Sequence, residues 1–196
     1  PAMTASVELD KGPRAREYGE QLSKMIQKET VSSRFDSDKT KYYEFHKILE
    51  ELFPLVHKTC EKHVFNGNLL FKWSGKGKAE PILLMSHQDV VEANGSWEHE
   101  PFGGYIDGEG KLWGRGTVDT KGSLYCIFRS VEELIAEGFQ PEGDVYIASS
   151  CTEEFSGEGA PLTVEYLQSQ GVKLSLLIDE GGMIMEEPIG GVKGTY

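Results

Sequence analysis

Three short apolar segments alternate with amphipathic helical segments, and this order most constrains what the chain can fold into. The apolar segments, 81–86, 145–149 and 174–178, are too short for buried helices and lack a polar face. Helical spacing of apolar residues indicates a helix between the first two and a shorter one, from 160 to about 170, between the last two. Strand–helix–strand–helix–strand order predicts an α/β layer fold with a mixed sheet.

The N-terminal part of the chain predicts two helices and a hairpin ahead of these strands. Helical spacing covers about 13–26 and, after a cap at Ser37 or Asp38, continues to Leu52. Residues 62–73 alternate around Asn66-Gly67, a dipeptide that favours a tight hairpin turn. A second hairpin is predicted over 105–113, and 183–196 shows no helical period.

Charge and hydropathy argue against nucleic acid as a partner and against a membrane-spanning segment. Lys and Arg number 20 against 32 Asp and Glu, a net charge of −12, which disfavours nucleic-acid binding because phosphates are held by clustered cations. The longest apolar run, Ile82–Met85, is far shorter than the roughly 20 residues of a membrane span.

Three widely spaced cysteines fit no disulfide framework. We therefore expect reduced thiols and a cytoplasmic location.

Each of the three apolar segments ends in side chains of the types that can bind metals. Carboxylates gathered in one cleft would repel each other and raise each other's pKa, so a cation is the simplest way to keep them ionised. One imidazole with several carboxylates suits zinc, manganese or cobalt. Spacing alone leaves two alternatives, a metal site or ordinary turns with solvated acids. The candidates are His87, Asp89, Asp119, Glu153, Glu154 and Asp179.

These motifs, taken together and in order, resemble the co-catalytic zinc exopeptidase family. That family includes glutamate carboxypeptidase, carboxypeptidase S, aminoacylase, acetylornithine deacetylase and succinyl-diaminopimelate desuccinylase. The resemblance implies a three-layer α/β catalytic domain with a mixed, mostly parallel sheet. The matching stretches are Leu83–Val91 with His87-Gln88-Asp89, Trp97 through Pro101-Phe102, Gly114–Gly122, Thr152-Glu153-Glu154 and Asp179-Glu180-Gly181-Gly182.

Metal ligands follow from the resemblance, position by position. It implies that His87 and Asp179 bind one metal ion, that Glu154 binds a second, and that Asp119 bridges both. The implied metal is zinc, with cobalt or manganese as substitutes. It also implies a cis peptide bond between Asp119 and Thr120.

The reaction is likewise implied by the resemblance. Glu153 would be the general base and Asp89 the carboxylate that orients the imidazole. A hydroxide bridging two zinc ions would then hydrolyse a peptide or N-acyl amide bond next to a free carboxylate. Carboxypeptidase or dipeptidase activity is not separated from aminoacylase activity at this point.

Family members have longer chains, so residues 1–196 resemble the N-terminal portion of a metallopeptidase catalytic domain. The resemblance places a lid or dimerisation domain and a C-terminal catalytic segment, with the last histidine ligand, outside this sequence. We therefore expect this chain alone to be inactive and the full-length protein to be a possible homodimer. The alternative is a non-catalytic α/β module for binding or assembly. Retention of every available candidate ligand disfavours that alternative.

Overall fold

The structure is a computed structural model that describes residues 12–35 and 37–181. The prediction for 183–196 therefore concerns residues outside this description. A 3₁₀ turn covers Glu153–Phe155. The regular elements are α1 (Pro13–Gln27), α2 (Thr40–Leu52), α3 (Pro54–Thr59), β1 (Glu61–Phe65), β2 (Asn68–Trp73), β3 (Ile82–Met85), β4 (Tyr105–Ile106), β5 (Leu112–Trp113), α4 (Lys121–Ala136), β6 (Val145–Ser149), α5 (Gly159–Ser169) and β7 (Leu176–Ile178).

Five of these strands form one mixed sheet, in the order β1-β2-β6-β3-β7. Strand β2 pairs antiparallel with both β1 and β6, whereas β3 pairs parallel with both β6 and β7. The predicted mixed α/β sheet is confirmed. Strands β4 and β5 form a separate two-stranded hairpin, as predicted.

Helices cover both faces of the sheet because successive side chains of a strand point to opposite faces. On β2, Leu69 and Phe71 pack with α1 to α4, in a core that includes Phe45 and Phe128. Leu70 points to the other face, where it packs with Leu167 of α5. The chain thus forms the three layers that the resemblance implied.

The hairpin at Asn66-Gly67 forms for the reason that the dipeptide suggested. Asn66 has φ +49° and Gly67 has φ +88°, the two positive values that a type I′ turn requires. An added Cβ at Gly67 would lie 3.0 Å from the sulfur of Cys151. The turn therefore packs closely against the chain that follows β6.

Helix α2 begins slightly later than predicted. Asp38 accepts the backbone N–H of Thr40 at 2.8 Å, but Lys39 occupies the cap position. After Leu52 the chain restarts as α3, with Pro54 in its first turn, where a missing N–H costs nothing. No helix within 12–35 and 37–181 is long and apolar enough to cross a membrane.

The sheet places its candidate site at one edge. Strands β3, β6 and β7 run in the same direction, so their C-terminal ends lie side by side. Loops that follow such ends in open α/β sheets form the usual ligand-binding crevice. His87, Glu153 and Glu180 all lie within a few residues of these ends.

Candidate metal centre

His87 lies at the centre of the site and is almost completely buried. Its Nδ1 atom donates to the backbone carbonyl of Asp89 at 2.8 Å, which leaves Nε2 directed at the acidic side chains. Nε2 lies 2.9 Å from Asp119 Oδ1, 3.0 Å from Glu180 Oε1 and 3.7 Å from Glu153 Oε2. An imidazole held in this way by its second nitrogen is typical of a metal ligand.

Asp89 connects the end of β3 to the turn after β6. Its fully buried carboxylate accepts the backbone N–H of Glu153 at 3.3 Å and that of Glu154 at 3.2 Å. One oxygen also lies 3.4 Å from His87 Nδ1. Asp89 therefore contacts both the histidine and the backbone of the two glutamates.

Asp119 comes from the loop before α4. The peptide bond between Asp119 and Thr120 is cis, as the resemblance implied. The Ser86 hydroxyl donates to the carbonyl of Thr120 at 3.0 Å, which ties this loop to the end of β3. The next residue, the fully buried Lys121, donates from Nζ to the carbonyl of Lys28 at 2.7 Å after α1.

Glu154 comes from the 3₁₀ turn after β6. Its Oε1 accepts the backbone N–H of Val91 at 3.2 Å. Ligand atoms of His87, Asp119 and Glu154 all lie within 4.8 Å of one another. A second such group consists of His87, Glu153 and Glu180.

The third strand end brings Glu180 to the histidine, and Asp179 lies in neither three-residue group within the described residues. Asp179 does line a cavity of about 390 Å³ beside His87 and Glu153. The resemblance implied Asp179 as the ligand and gave no role to Glu180, its neighbour in the same motif. The available signal was an adjacent pair of acids, and local pattern does not say which one turns inward.

The charges of the cluster shift the protonation of its members. Burial alone lowers the pKa of an imidazole, yet hydrogen bonding to Asp89 and the charges of Asp89 and Glu180 raise the pKa of His87 to about 10. Burial and nearby carboxylates also raise the pKa of Glu153 and of Glu154. A cation bound here would relieve this repulsion.

The donor set fits a divalent metal. Zinc binds imidazole nitrogen and carboxylate oxygen at about 2.0–2.2 Å, so neighbouring ligand atoms in a tetrahedron lie roughly 3.4 Å apart. The oxygens of Asp119 and Glu180 lie at comparable distances from the nitrogen of His87. The two groups share His87, whose Nε2 can bind only one ion, so within the described residues any second ion would be held by carboxylates alone.

The sequence matches a known family over residues 83–195, described as peptidase family M20/M25/M40. Carboxypeptidase S of Saccharomyces cerevisiae is 37% identical over 155 residues, which are 74% of this chain and 27% of that protein. The human N-fatty-acyl-amino acid synthase/hydrolase is 35% identical over 178 residues, 86% of this chain and 34% of that protein. The chain thus spans about a third or less of these relatives.

Solved structures show the same fold. Human carnosine dipeptidase 1 superposes with a TM-score of 0.69 at 16% sequence identity, covering 87% of this chain and 40% of that one. At this identity the likeness concerns the fold alone. All the candidate residues, from His87 to Glu180, lie within the stretch matched by the family.

Proposed function

The chain belongs to peptidase family M20/M25/M40, and from this premise we propose that it carries the metal-binding part of a hydrolase. The bonds cleaved are peptide or N-acyl amide bonds. The observation that supports this best is the convergence of Asp119 and Glu180 on His87 Nε2, at 2.9 and 3.0 Å. The relatives' hydrolase names favour an enzyme over a non-catalytic binding or assembly module.

We assign the metal ligands from this geometry. His87, Asp119, Glu154 and Glu180 hold two divalent ions, which we propose to be zinc, with cobalt or manganese as substitutes. Asp179, the ligand that the resemblance implies, lines the adjoining cavity. It remains the alternative to Glu180 and is tested against it below.

Glu153 is the proposed general base. Its carboxylate lies 3.7 Å from His87 Nε2, farther than the oxygens of Asp119 and Glu180, which suits an acid that lies beside the metal without being a ligand. Burial and neighbouring carboxylates raise its pKa, which strengthens it as a proton acceptor.

The bound metal and the residues of the chain contribute different parts of the hydrolysis. Bound divalent ions lower the pKa of water and polarise the substrate carbonyl. Glu153 accepts the proton of the attacking water and then donates it to the leaving amine. Asp89 keeps this carboxylate in place by accepting the backbone N–H of Glu153 and of its neighbour.

Apolar side chains border the cluster and indicate the substrate class. Val118, immediately before Asp119, is 85% exposed, and Val91, whose N–H binds Glu154, is also exposed. Ligand sites are lined mostly by apolar side chains around a few polar groups, so we take these two valines as candidate substrate contacts. We propose an N-acyl amino acid or a peptide with an apolar group on the acyl side. The relatives' names include both a carboxypeptidase and an N-acyl-amino-acid hydrolase, so the two activities are tested together.

The proposal extends to the domain organisation. Residues 1–196 would be the N-terminal portion of the catalytic domain, with a lid or dimerisation domain and the last histidine ligand supplied by a further segment. Dimerisation, a cytoplasmic location and inactivity of this chain alone stay predictions.

The test is Glu153→Gln in the protein as its gene encodes it, with metal content and hydrolysis measured side by side. We expect metal to be retained and hydrolysis to fall by about 10²–10⁴-fold, the usual contribution of a general base. Glu165→Gln, on the exposed side of α5, is the matched control, and it leaves metal content and the rate of hydrolysis unchanged. An unchanged rate in Glu153→Gln would exclude it as the base. Lack of hydrolysis of both peptides and N-acyl amino acids by the unaltered protein would overturn the function.

A further inference from the structure

Gln88, the residue between His87 and Asp89, is fully buried and has a hydrogen-bond partner for each of its polar atoms. Its side chain points away from the acidic cluster, because successive residues of an extended segment face opposite sides. Burial of an amide is costly unless its donors and acceptor are all paired. The surroundings of Gln88 therefore offer a hydrogen-bond partner to every polar atom of a glutamine side chain.

The side-chain amide joins three parts of the fold. Its Nε2 donates to the carbonyl of Gly67 in the hairpin turn and to the carbonyl of Ser149 at the end of β6, each at 3.0 Å. Its Oε1 lies 2.9 Å from Nε2 of His46 on α2. Because both amide hydrogens point to carbonyls, Oε1 must accept, and Nε2 of His46 must carry the proton.

The backbone of Gln88 is held as firmly as its side chain. Its N–H donates to the carbonyl of Ser150 at 2.8 Å, which continues the pairing of β3 with β6 beyond the strand end. Its carbonyl accepts the hydroxyl of Thr30 at 2.7 Å, from the segment after α1. Five hydrogen bonds thus fix the direction of the chain where it passes from His87 to Asp89.

We infer that Gln88 is a positioning residue for the metal centre, which holds His87 and Asp89 at the orientation that the metal requires. This inference rests on the proposed function, because it gives His87 the role of a ligand. Gln88 touches no reacting atom and acts through its two neighbours. The competing explanation is that Gln88 only satisfies buried carbonyls and stabilises the core.

Gln88→Met tests this inference, because methionine keeps the length of the side chain and removes its donors and acceptor. We expect the zinc affinity of the protein as its gene encodes it to fall by about 10–100-fold, as for other residues that orient metal ligands. We also expect kcat to fall while KM stays within about twofold. Zinc affinity is measured by calorimetry against a competing chelator, at a temperature where every variant is folded.

Leu49→Ala is the control for stability alone. Leu49 is fully buried on α2, in the apolar core cluster that α2 shares with α1, α3 and α4. Its truncation lowers the stability of the fold but leaves the zinc affinity unchanged. An equal loss of affinity in Leu49→Ala and Gln88→Met would overturn the positioning role.

His46→Leu supplies an independent test that does not change Gln88. It leaves Oε1 of Gln88 without its donor, so zinc affinity falls, but less than in Gln88→Met. The double variant binds zinc no more weakly than Gln88→Met alone, because both changes break one network. If Gln88→Met does not fold, unchanged affinity in His46→Leu overturns the inference.

His87→Ala separates this inference from the proposed function. Loss of zinc binding in His87→Ala with full binding in Gln88→Met would overturn the positioning role and leave the metal site standing. Full binding in His87→Ala would overturn the metal site itself.

Discussion

Oε1 of Glu180 lies 3.0 Å from Nε2 of His87, closer than the carboxylate of Glu153. This contact links the ends of two parallel neighbours, β3 and β7. It places Glu180, and not the adjacent Asp179, among the groups that can share a metal ion with His87.

Glu180→Gln is therefore expected to weaken metal binding more than Asp179→Asn does. Both changes replace a carboxylate with an amide of the same shape, so they differ only in which carboxylate is lost. Glu180→Gln should lower zinc affinity by more than about 100-fold, beyond the 10–100-fold of residues that only orient ligands. Asp179→Asn should change it by less than about 10-fold.

The measurement is zinc affinity by competition with a chelator, with circular dichroism to show that both variants are folded. The reverse ranking would restore Asp179 as the ligand, as the resemblance implied. Equal losses in both variants would mean that the ligand role is shared.

Local pattern was sufficient to predict most of the elements that support the site. Strand β6 was predicted with the bounds it has, and the hairpin turn at Asn66-Gly67 was predicted from its need for positive φ. The C-terminal ends of β3 and β6 also deliver His87 and Glu153 as expected. These features depend on a few consecutive residues, which is why the sequence is informative about them.

Local pattern could not predict the orientation of the two acidic side chains after β7 or the hydrogen bonds of Gln88. Which of two adjacent acids turns toward His87 depends on where β7 stops pairing with β3, a property of the whole sheet. Likewise, His46 is 42 residues from Gln88 along the chain, and no spacing rule connects them. Long-range packing, not local propensity, decides both.

Gly122→Ala should destabilise the fold, although alanine normally favours a helix over glycine by about 1 kcal/mol. A Cβ at this position of α4 would lie 2.3 Å from the carbonyl oxygen of Thr117, so the loop carrying Asp119 would have to move. We expect a loss of about 1–3 kcal/mol in unfolding free energy, as for other overpacked sites, together with weaker zinc binding.

Ser123→Ala, the next position along α4, is the matched control. Its side chain is exposed, so alanine there should leave stability within about 0.5 kcal/mol of the unaltered protein. Denaturant unfolding of the three proteins gives the comparison. Equal stability of Gly122→Ala and Ser123→Ala would contradict the close approach of α4 to Thr117.

Val118→Thr should weaken the binding of substrates with an apolar acyl group. Threonine keeps the branched shape but replaces one methyl with a hydroxyl, and loss of one buried methyl contact costs about 0.8 kcal/mol. KM should rise about fourfold for a long-chain acyl substrate. It should stay unchanged for an acetyl substrate, and kcat should be the same for both.

Val164→Thr makes the same chemical change on an exposed position of α5 and should leave KM unchanged. Equal KM values for Val118→Thr and the unaltered protein, across acyl chain lengths, would show that Val118 makes no contact with substrate.

His46 should make the fold lose stability in acid. Burial lowers the pKa of His46 to about 4, although the hydrogen bond to Gln88 partly raises it. The unfolded chain therefore takes up a proton near pH 6.5, before the folded protein does. Stability falls as the pH drops from about 6.5 to 4, by about 3 kcal/mol, and is insensitive to this group above pH 7.

Denaturant unfolding of the metal-free protein, with chelator present, checks this from pH 7 to pH 4. His46→Gln keeps an N–H for Gln88 but does not titrate, so its stability should fall less steeply over that range. The acidic cluster titrates equally in both proteins and cancels in the difference. Burial lowers the pKa of His57 as well, so His57→Gln is measured in parallel. Parallel pH curves for His46→Gln and the unaltered protein would show that His46 is not held neutral by burial.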